Sequence, residues 1–198
     1  IGCDPAEGGD DCSWTVIDEY GVIERIAYKT PDTSVITGAT IALWQKYGVQ
    51  PEQVVFDSGG GGKEHADRLR SQGYNVRSVG FGEAASPELK RKGVVTKLED
   101  RKDEHETSYI YKNRRAEMYG LLRQLLDPIN PGFGLLPEDT ELRRQLAPIP
   151  LWYDEEGRLY LPPKKKKPDA GDSTKNKITM HDLLGCSPDA ADSLVLAI

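Results

Sequence analysis

Three aspartates lie where apolar segments of the chain end, and they are far apart in the sequence. Asp4 follows an Ile-Gly-Cys run, Asp57 follows Val-Val-Phe, and Asp189 lies at the start of the apolar segment that closes the chain. A carboxylate at the end of a strand is easily exposed, but several carboxylates brought together repel one another unless cations hold them. The pattern therefore predicts a magnesium site.

The residue types also indicate which chemistry such a site would carry out. Carboxylate oxygens without a His or Cys partner favour Mg²⁺ or Mn²⁺ over zinc. Two such ions that share a carboxylate can activate water and stabilise the leaving 3′ oxygen of a phosphodiester. No Ser/His/Asp or Cys/His set is recognisable in the sequence, and this hydrolysis needs no protein nucleophile. The three histidines show no ligand spacing and are predicted to lie at the surface.

A fourth aspartate belongs to the closing helix, which is predicted to begin near Pro188. Asp189 and Asp192 then lie in its first turn at i and i+3, on one face and at the positive end of the helix dipole. Asp189 could also be a helix cap. We predict Asp4, Asp57 and Asp189 as catalytic residues and all four aspartates as metal ligands. For Asp192, direct ligation and contact with a neighbouring side chain both remain open.

The first half of the sequence predicts a sheet that brings these residues together. Apolar and β-branched runs indicate three antiparallel strands, followed by helices that alternate with strands. The predicted elements are strands Ile1 to Cys3, Ser13 to Asp18 and Val22 to Tyr28, a helix Thr33 to Tyr47, a strand Val54 to Phe56, a helix Gly62 to Gln72 and a strand Asn75 to Val79. Since the strand before Asp57 follows a helical crossover, it should run parallel to a neighbour. The fold class is α/β, with a mixed sheet flanked by helices.

The second half is more irregular. A charged segment from Glu88 to Glu106 is predicted to be a surface excursion. Two helices follow, Tyr109 to Leu126 and Glu138 to Ala147, and then a β-hairpin whose strands are Ile149 to Tyr153 and Arg158 to Leu161. A polar loop from Pro162 to Ser173 contains four successive lysines, and long loops of this kind are commonly functional or disordered.

Composition limits the class of protein. The chain has 198 residues, 37% of them hydrophobic and 29% charged, which suits a single soluble domain spanning residues 1–198. No apolar run approaches the roughly 20 residues that cross a bilayer, so we expect no membrane partner. Three cysteines form no CxxC pair, which favours a reducing compartment.

The charge distribution leaves room for a nucleic-acid partner. The net charge of −6 at first disfavours DNA, because phosphate binding relies on Lys and Arg. Positive charge is nevertheless grouped along the chain. We predict DNA contacts for Lys164, Lys165, Lys166, Lys167 and Arg114. The alternative for the lysines is a solvated segment, and one of Arg114 and Arg115 is expected to pair with an acid while the other is free.

Four motifs, in order, resemble the C-terminal nuclease domain of the large terminase subunit of tailed phages. They are Gly2-Cys3-Asp4-Pro5-Ala6 with Gly8-Gly9-Asp10-Asp11, Val54-Val55-Phe56-Asp57, Asn113-Arg114-Arg115-Ala116-Glu117-Met118-Tyr119, and Leu183-Leu184-Gly185-Cys186-Ser187-Pro188-Asp189-Ala190-Ala191-Asp192-Ser193-Leu194. The resemblance covers nearly the whole chain. It implies an RNase H-like, RuvC-type fold. The segment from Glu88 to Glu106 is longer than the pattern of this family.

The resemblance also implies a function. Members of this family cut concatemeric double-stranded viral DNA during genome packaging, with Mg²⁺ or Mn²⁺ and little sequence specificity. It implies further partners, namely an ATPase motor domain of the same polypeptide, a portal protein and a small terminase subunit, and it places the protein in the host cytoplasm. Both ends of the chain look cut, so we expect the motor domain to precede it.

Three alternatives remain open at this stage. A Holliday-junction resolvase or transposase-like nuclease would share the fold. An actin-like ATPase fragment also uses an aspartate near a first strand together with Gly-rich turns. A DNA-docking module without catalysis could keep the fold, and metal would then not change its stability.

Overall fold

A five-stranded mixed sheet forms the centre of the protein, in a computed structural model that describes residues 1–6, 10–86, 110–128, 132–164 and 178–198. Its strands are β1 (Gly2–Asp4), β2 (Cys12–Asp18), β3 (Gly21–Tyr28), β4 (Val55–Asp57) and β5 (Arg77–Val79). They lie in the order β3-β2-β1-β4-β5. Among the described residues, no helix is long and apolar enough to span a membrane.

The direction of the strands determines where the first two aspartates lie. β1 pairs antiparallel with β2 and parallel with β4, with Cys3 opposite Phe56. Asp4 and Asp57 each follow one of these paired residues, so both lie at the same end of two adjacent strands. The predicted mixed sheet and the parallel pairing of the strand before Asp57 are confirmed.

Six helices of the described residues surround the sheet, and a short hairpin lies apart from it. The helices are α1 (Thr33–Tyr47), α2 (Gly62–Ser71), α3 (Arg114–Leu125), α4 (Thr140–Leu146), α5 (Met180–Leu184) and α6 (Asp189–Ala197), and the hairpin strands are β6 (Trp152–Tyr153) and β7 (Leu159–Tyr160). The predicted bounds of α1 are confirmed. α5 was not predicted, and both hairpin strands are shorter than expected.

The start of α3 differs from the prediction for a local reason. The helix begins at Arg114 rather than Tyr109, because the Asn113 side chain accepts a hydrogen bond from the backbone N–H of Ala116 at 3.0 Å. Such an N-cap satisfies a backbone donor that would otherwise lack a partner. The predicted excursion from Glu88 to Glu106 lies outside the described residues, as does most of the polar lysine loop.

The two faces of the sheet carry different chemistry, as the alternation of side chains along a strand requires. Trp14 and Val16 belong to a hydrophobic core that includes buried residues of α1. Ser13 and Thr15 instead hydrogen-bond Ser193 of α6, with oxygen–oxygen distances of 2.9 and 2.7 Å. The Ser193 hydroxyl donates to the Ala190 carbonyl, so it accepts from the other two hydroxyls.

The backbone of α6 lies unusually close to β1. A Cβ at Gly2 would stand 2.0 Å from the Ser193 carbonyl oxygen and 2.5 Å from the Ala197 nitrogen. Only glycine permits this approach. The close contact and the buried hydroxyls together fix α6, and with it the fourth aspartate, against the strand that carries Asp4.

An ion pair links the edge of the sheet to α4. Arg25 of β3 donates to both carboxylate oxygens of Asp139 at 2.6 and 2.7 Å, and Asp139 also caps α4 by accepting from the Leu142 N–H. Burial works to raise the pKa of Asp139, but the hydrogen bonds from Arg25 and Leu142 outweigh it and hold the pKa below its ordinary value. A paired carboxylate of this kind stabilises the folded state.

We expect Asp139→Asn to lower the free energy of unfolding by about 1–3 kcal/mol at pH 7, because a charge-assisted bidentate contact is lost. The folded-state pKa is depressed, so this contribution is present above the unfolded pKa of about 4 and is lost as the pH falls through the folded pKa. Urea unfolding at pH 7 and pH 3 measures the difference between wild type and variant, which should shrink at pH 3.

Asp67→Asn is the matched control. Asp67 pairs with Lys63 and Arg70 on the exposed surface of α2, where ion pairs contribute little. An Asp139→Asn penalty that is equal at both pH values, or no larger than that of the control, would contradict the role assigned to this pair.

Candidate metal centre

Asp4 and Asp57 are both buried at the same end of the sheet, each with 6% of its surface exposed. This agrees with the predicted pair of strand-end carboxylates. Two buried carboxylates of adjacent strands repel each other and have lost most of their hydration, so the arrangement needs positive charge nearby.

Lys164 supplies that charge and also identifies the third carboxylate. Its Nζ lies 3.7 Å from Asp4 Oδ2, 3.8 Å from Asp57 Oδ2 and 2.6 Å from Asp192 Oδ2. Asp192 comes from the first turn of α6 and is fully buried. Three aspartates that are distant in sequence therefore surround one ammonium group. We call Asp4, Asp57, Asp192 and Lys164 the acidic centre.

A second cation holds Asp192 from α3. An Arg115 nitrogen donates to Asp192 Oδ1 and Oδ2 at 3.0 and 3.2 Å, and the Tyr119 hydroxyl donates to Oδ1 at 2.7 Å. The guanidinium lies 5.4 Å from the ring centroid of Phe81 and 5.6 Å from that of Tyr119. Arg115 is thus a buried cation packed against two aromatic rings.

These contacts give the two oxygens of Asp192 different roles. Oδ1 accepts from Tyr119 and makes the shorter contact with Arg115, whereas Oδ2 contacts Lys164. The oxygen directed toward the other two aspartates is therefore Oδ2. A cation in place of the Lys164 ammonium would meet one fixed oxygen of Asp192.

Burial and the nearby positive charge shift the pKa values of the carboxyl groups in opposite directions. Burial raises the pKa of Asp4 well above its ordinary value; Lys164 opposes this rise, and the charges of Asp192 and Asp57 add to it. Burial likewise raises the pKa of Asp57, against the hydrogen bond from Gly59 N–H and the charge of Lys164.

The third carboxyl group of the centre behaves differently. Burial works to raise the pKa of Asp192, but Arg115 and Lys164 outweigh it and hold the pKa below its ordinary value. The acidic centre is therefore short of positive charge at Asp4 and Asp57, while Asp192 has two cations.

The donor set fits a divalent ion. Asp4 Oδ2 is buried without a hydrogen-bond partner among the described residues, and hard carboxylate oxygens are the ligands that Mg²⁺ and Mn²⁺ prefer. Within those same ranges no three acidic, His or Cys side chains are arranged at metal-binding distances. In this structure the Lys164 ammonium, not an ion, lies within 4 Å of all three carboxylates.

Asp189 lies at the rim of the acidic centre rather than inside it. It is half-buried and lines a polar cavity of about 240 Å³ together with Asp10, Asp11 and Ser13. Burial raises the pKa of Asp189, a hydrogen bond from Ser187 opposes the rise, and the charge of Asp10 adds to it. Asp189 in turn raises the pKa of Asp4. Its predicted roles as catalytic residue and ligand stay predictions.

The predicted basic residues have different positions. Arg114 contacts Ser86 Oγ at 2.5 Å and Glu117 at 3.2 Å, so both arginines are paired and the expectation of a free one is wrong. Lys164 reaches inward to the aspartates, and Lys165, Lys166 and Lys167 lie outside the described residues. DNA contact stays a prediction for all five.

Sequence reasoning missed three features of the site. It placed Lys164 in a surface run, and it assigned Arg115 and Tyr119 no specific contact. The spacing of Arg115, Tyr119 and Leu122 on one helix face was a usable signal, because it places an arginine and a tyrosine among apolar core residues. The surface prediction for His65 is also wrong, since its ring is buried and stacks on Phe56.

Comparison with known proteins gives a clear result for the fold. No family model and no curated protein sequence matches the chain. Among solved structures, the nuclease domain of the large terminase subunit gp2 of bacterial virus Sf6 is 18% identical, with a TM-score of 0.65 over 98% of this chain and 85% of that one. The large terminase nuclease from thermophilic phage G20c is 15% identical, with a TM-score of 0.56 over 100% and 78%.

Several of the similar structures contain divalent ions. A lysine-to-alanine variant of the Sf6 domain was solved with manganese, at 17% identity, a TM-score of 0.65 and coverage of 98% and 85%. The G20c nuclease was also solved with bound magnesium, at 17% identity, a TM-score of 0.56 and coverage of 100% and 78%. The chain thus has the fold of terminase nuclease domains, and the predicted RNase H-like fold and the resemblance to these domains are confirmed.

We expect Lys164→Ala to bind Mn²⁺ at least about tenfold more tightly than wild type, because the ammonium and the ion need the same oxygens. A unit charge at 4 Å is worth about 4 kcal/mol at an effective dielectric constant of about 20. Isothermal titration calorimetry without DNA measures the Kd.

Lys112→Ala is the matched control, since Lys112 contacts Asp154 and the Tyr160 ring instead of the acidic centre. Equal or weaker Mn²⁺ binding by Lys164→Ala would show that the lysine does not occupy the place of a metal ion.

Proposed function

We propose that this chain is a metal-dependent endonuclease that cuts double-stranded phage DNA by hydrolysis of phosphodiester bonds, with Mg²⁺ or Mn²⁺ and little sequence specificity. The observation that carries the proposal is the convergence of Asp4, Asp57 and Asp192 on one cation. Three buried carboxylates held by only two cations, Lys164 and Arg115, are costly for a fold. A site that binds divalent ions accounts for that cost.

The fold supports the reaction class. The similar structures from Sf6 and G20c are terminase nuclease domains, and some were solved with manganese or magnesium. This favours a nuclease over an actin-like ATPase fragment and over a resolvase. Fold alone does not determine activity, and it is the carboxylates of this chain, together with the shared architecture, that support a nuclease.

We assign the ligands as follows. Asp4, Asp57 and Asp192 would hold one ion, and Asp189, at the rim, would contribute to a second. When bound, such ions activate water and stabilise the charge on the leaving oxygen of a phosphodiester.

The other residues of the site orient and neutralise these ligands. Arg115 and Tyr119 fix Asp192 so that Oδ2 faces the centre. The N–H of Gly59 fixes Oδ1 of Asp57 at 3.0 Å. Lys164 neutralises the carboxylates in the absence of metal and must leave them when an ion binds. Orientation by such neighbours commonly changes metal affinity by 10–100-fold.

The biological setting belongs to the same proposal. We infer that the substrate is concatemeric viral DNA during packaging and that an ATPase motor domain of the same polypeptide, a portal protein and a small terminase subunit are partners. The expected location is the host cytoplasm. In this view residues 1–198 form the nuclease domain of a larger packaging enzyme.

The reaction is tested by incubating supercoiled plasmid with the chain and Mn²⁺ or Mg²⁺. We expect nicked and linear DNA with either ion and none in EDTA. Asp57→Asn, Asp4→Asn and Asp192→Asn should each lower the cleavage rate by roughly a hundredfold or more, because each removes a charged ligand. Asp67→Asn is the control and should cut like wild type. Cleavage in EDTA, or full activity of Asp57→Asn, would refute the proposal.

Asp189 is tested separately. We expect Asp189→Asn to cut more slowly at low Mn²⁺ and to recover as the Mn²⁺ concentration rises, because a rim ligand of a second ion affects occupancy first. Rates at a series of Mn²⁺ concentrations measure this. If Asp189→Asn matches Asp67→Asn at every concentration, Asp189 is not a ligand, and the roles of the other three aspartates are unaffected.

A further inference from the structure

Four successive glycines, Gly59 to Gly62, follow Asp57 between β4 and α2. Three of them are explained by the backbone. Gly60 and Gly61 have φ values of +54° and +77°, in the left-handed region that glycine favours. A Cβ at Gly62 would stand 1.8 Å from the Asp57 carbonyl oxygen, so no side chain fits there.

Gly59 is not explained in this way. Its φ lies outside the left-handed region, and a Cβ there would stand 3.4 Å from Asp57 Oδ2, 3.5 Å from Oδ1 and 3.7 Å from Cγ. These are ordinary van der Waals distances. An alanine at this position would therefore meet no steric conflict with the fold.

The position of that absent methyl group points to the acidic centre. The added methyl carbon would be nearer to both Asp57 oxygens than to Cγ. It would therefore lie on the side of the carboxylate that carries the oxygens. Gly59 itself is exposed. A methyl group there would lie against both Asp57 oxygens, including Oδ2, which lies 3.8 Å from the Lys164 Nζ.

We infer that Gly59 determines metal access: the absence of a side chain keeps the oxygen side of Asp57 open to a hydrated divalent cation. Mg²⁺ gives up its water reluctantly and usually keeps several water ligands when bound. A hydrated ion therefore needs more room than the ammonium of Lys164. This inference rests on the proposed function and names Gly59 as a residue that admits the ion without binding it.

The test compares Gly59→Ala with Gly82→Ala. Gly82 has no atom within 4 Å of an added Cβ and no left-handed φ, so its variant controls for loss of a glycine in a loop. Mn²⁺ affinity is measured by isothermal titration calorimetry without DNA, and the melting temperature is measured in EDTA. We expect both variants to melt like wild type in EDTA. Gly59→Ala alone should raise the Kd for Mn²⁺ by roughly tenfold or more.

Several results would overturn the inference. One is a Kd for Mn²⁺ that is the same for Gly59→Ala as for wild type, even if the KM of the variant for DNA is higher. Another is a clear fall of its melting temperature in EDTA, which would show that the fold itself requires glycine. A wild-type chain that neither binds Mn²⁺ nor cuts DNA would instead refute the proposed function. If wild type cuts DNA and Gly59→Ala binds Mn²⁺ as tightly as wild type, only the role of Gly59 is refuted.

Discussion

The repulsion among three buried carboxylates is the constraint on which the rest of the site depends. Parallel pairing of β1 and β4 places Asp4 beside Asp57, and α6 adds Asp192, which contacts the same lysine. Two cations compensate the negative charge, and they are not equivalent. Of the three carboxylates Arg115 contacts only Asp192, and it is deeply buried, whereas Lys164 reaches all three. Arg115 is therefore part of the fixed packing around Asp192, whereas Lys164 is in a position to be replaced by a metal ion.

The acidic centre needs α6 to be placed accurately, and two sets of contacts achieve this. On the sheet side, Gly2 and the hydroxyl of Ser193 let the helix lie directly on β1 and β2. On the other side, Gln145 of α4 accepts a hydrogen bond from the Ala191 N–H at 3.1 Å. The first turn of α6, which carries both aspartates, is thus held from two directions.

Local patterns predicted the parts of this structure that depend on local physics. The strand-end position of Asp4 and Asp57 followed from apolar runs, and the bounds of α1 followed from helical periodicity and a glycine cap. The parallel direction of the strand before Asp57 needed only the rule that a helical crossover joins parallel strands, whereas the order of the strands came from the structure. The sequence also placed Asp189 and Asp192 in the first turn of one helix, because Pro188 marks its start and residues three apart share a helix face.

What the sequence could not decide depends on tertiary packing. Spacing does not show which of Asp189 and Asp192 turns inward, since that follows from how α6 rests on the sheet. Lys164 belongs to a run of four lysines that looks like a solvated loop, and no periodicity in the sequence indicates that Lys164 reaches the aspartates. His65 looked like a surface residue because its burial comes from packing on Phe56.

The most direct measurement is anomalous diffraction from crystals soaked in Mn²⁺. We expect a manganese peak bonded to Asp4, Asp57 and Asp192, with the Lys164 ammonium displaced from these oxygens. A soaked crystal that retains Lys164 among the three carboxylates at saturating Mn²⁺, with no manganese beside them, would contradict the claim that this centre is built for a metal ion.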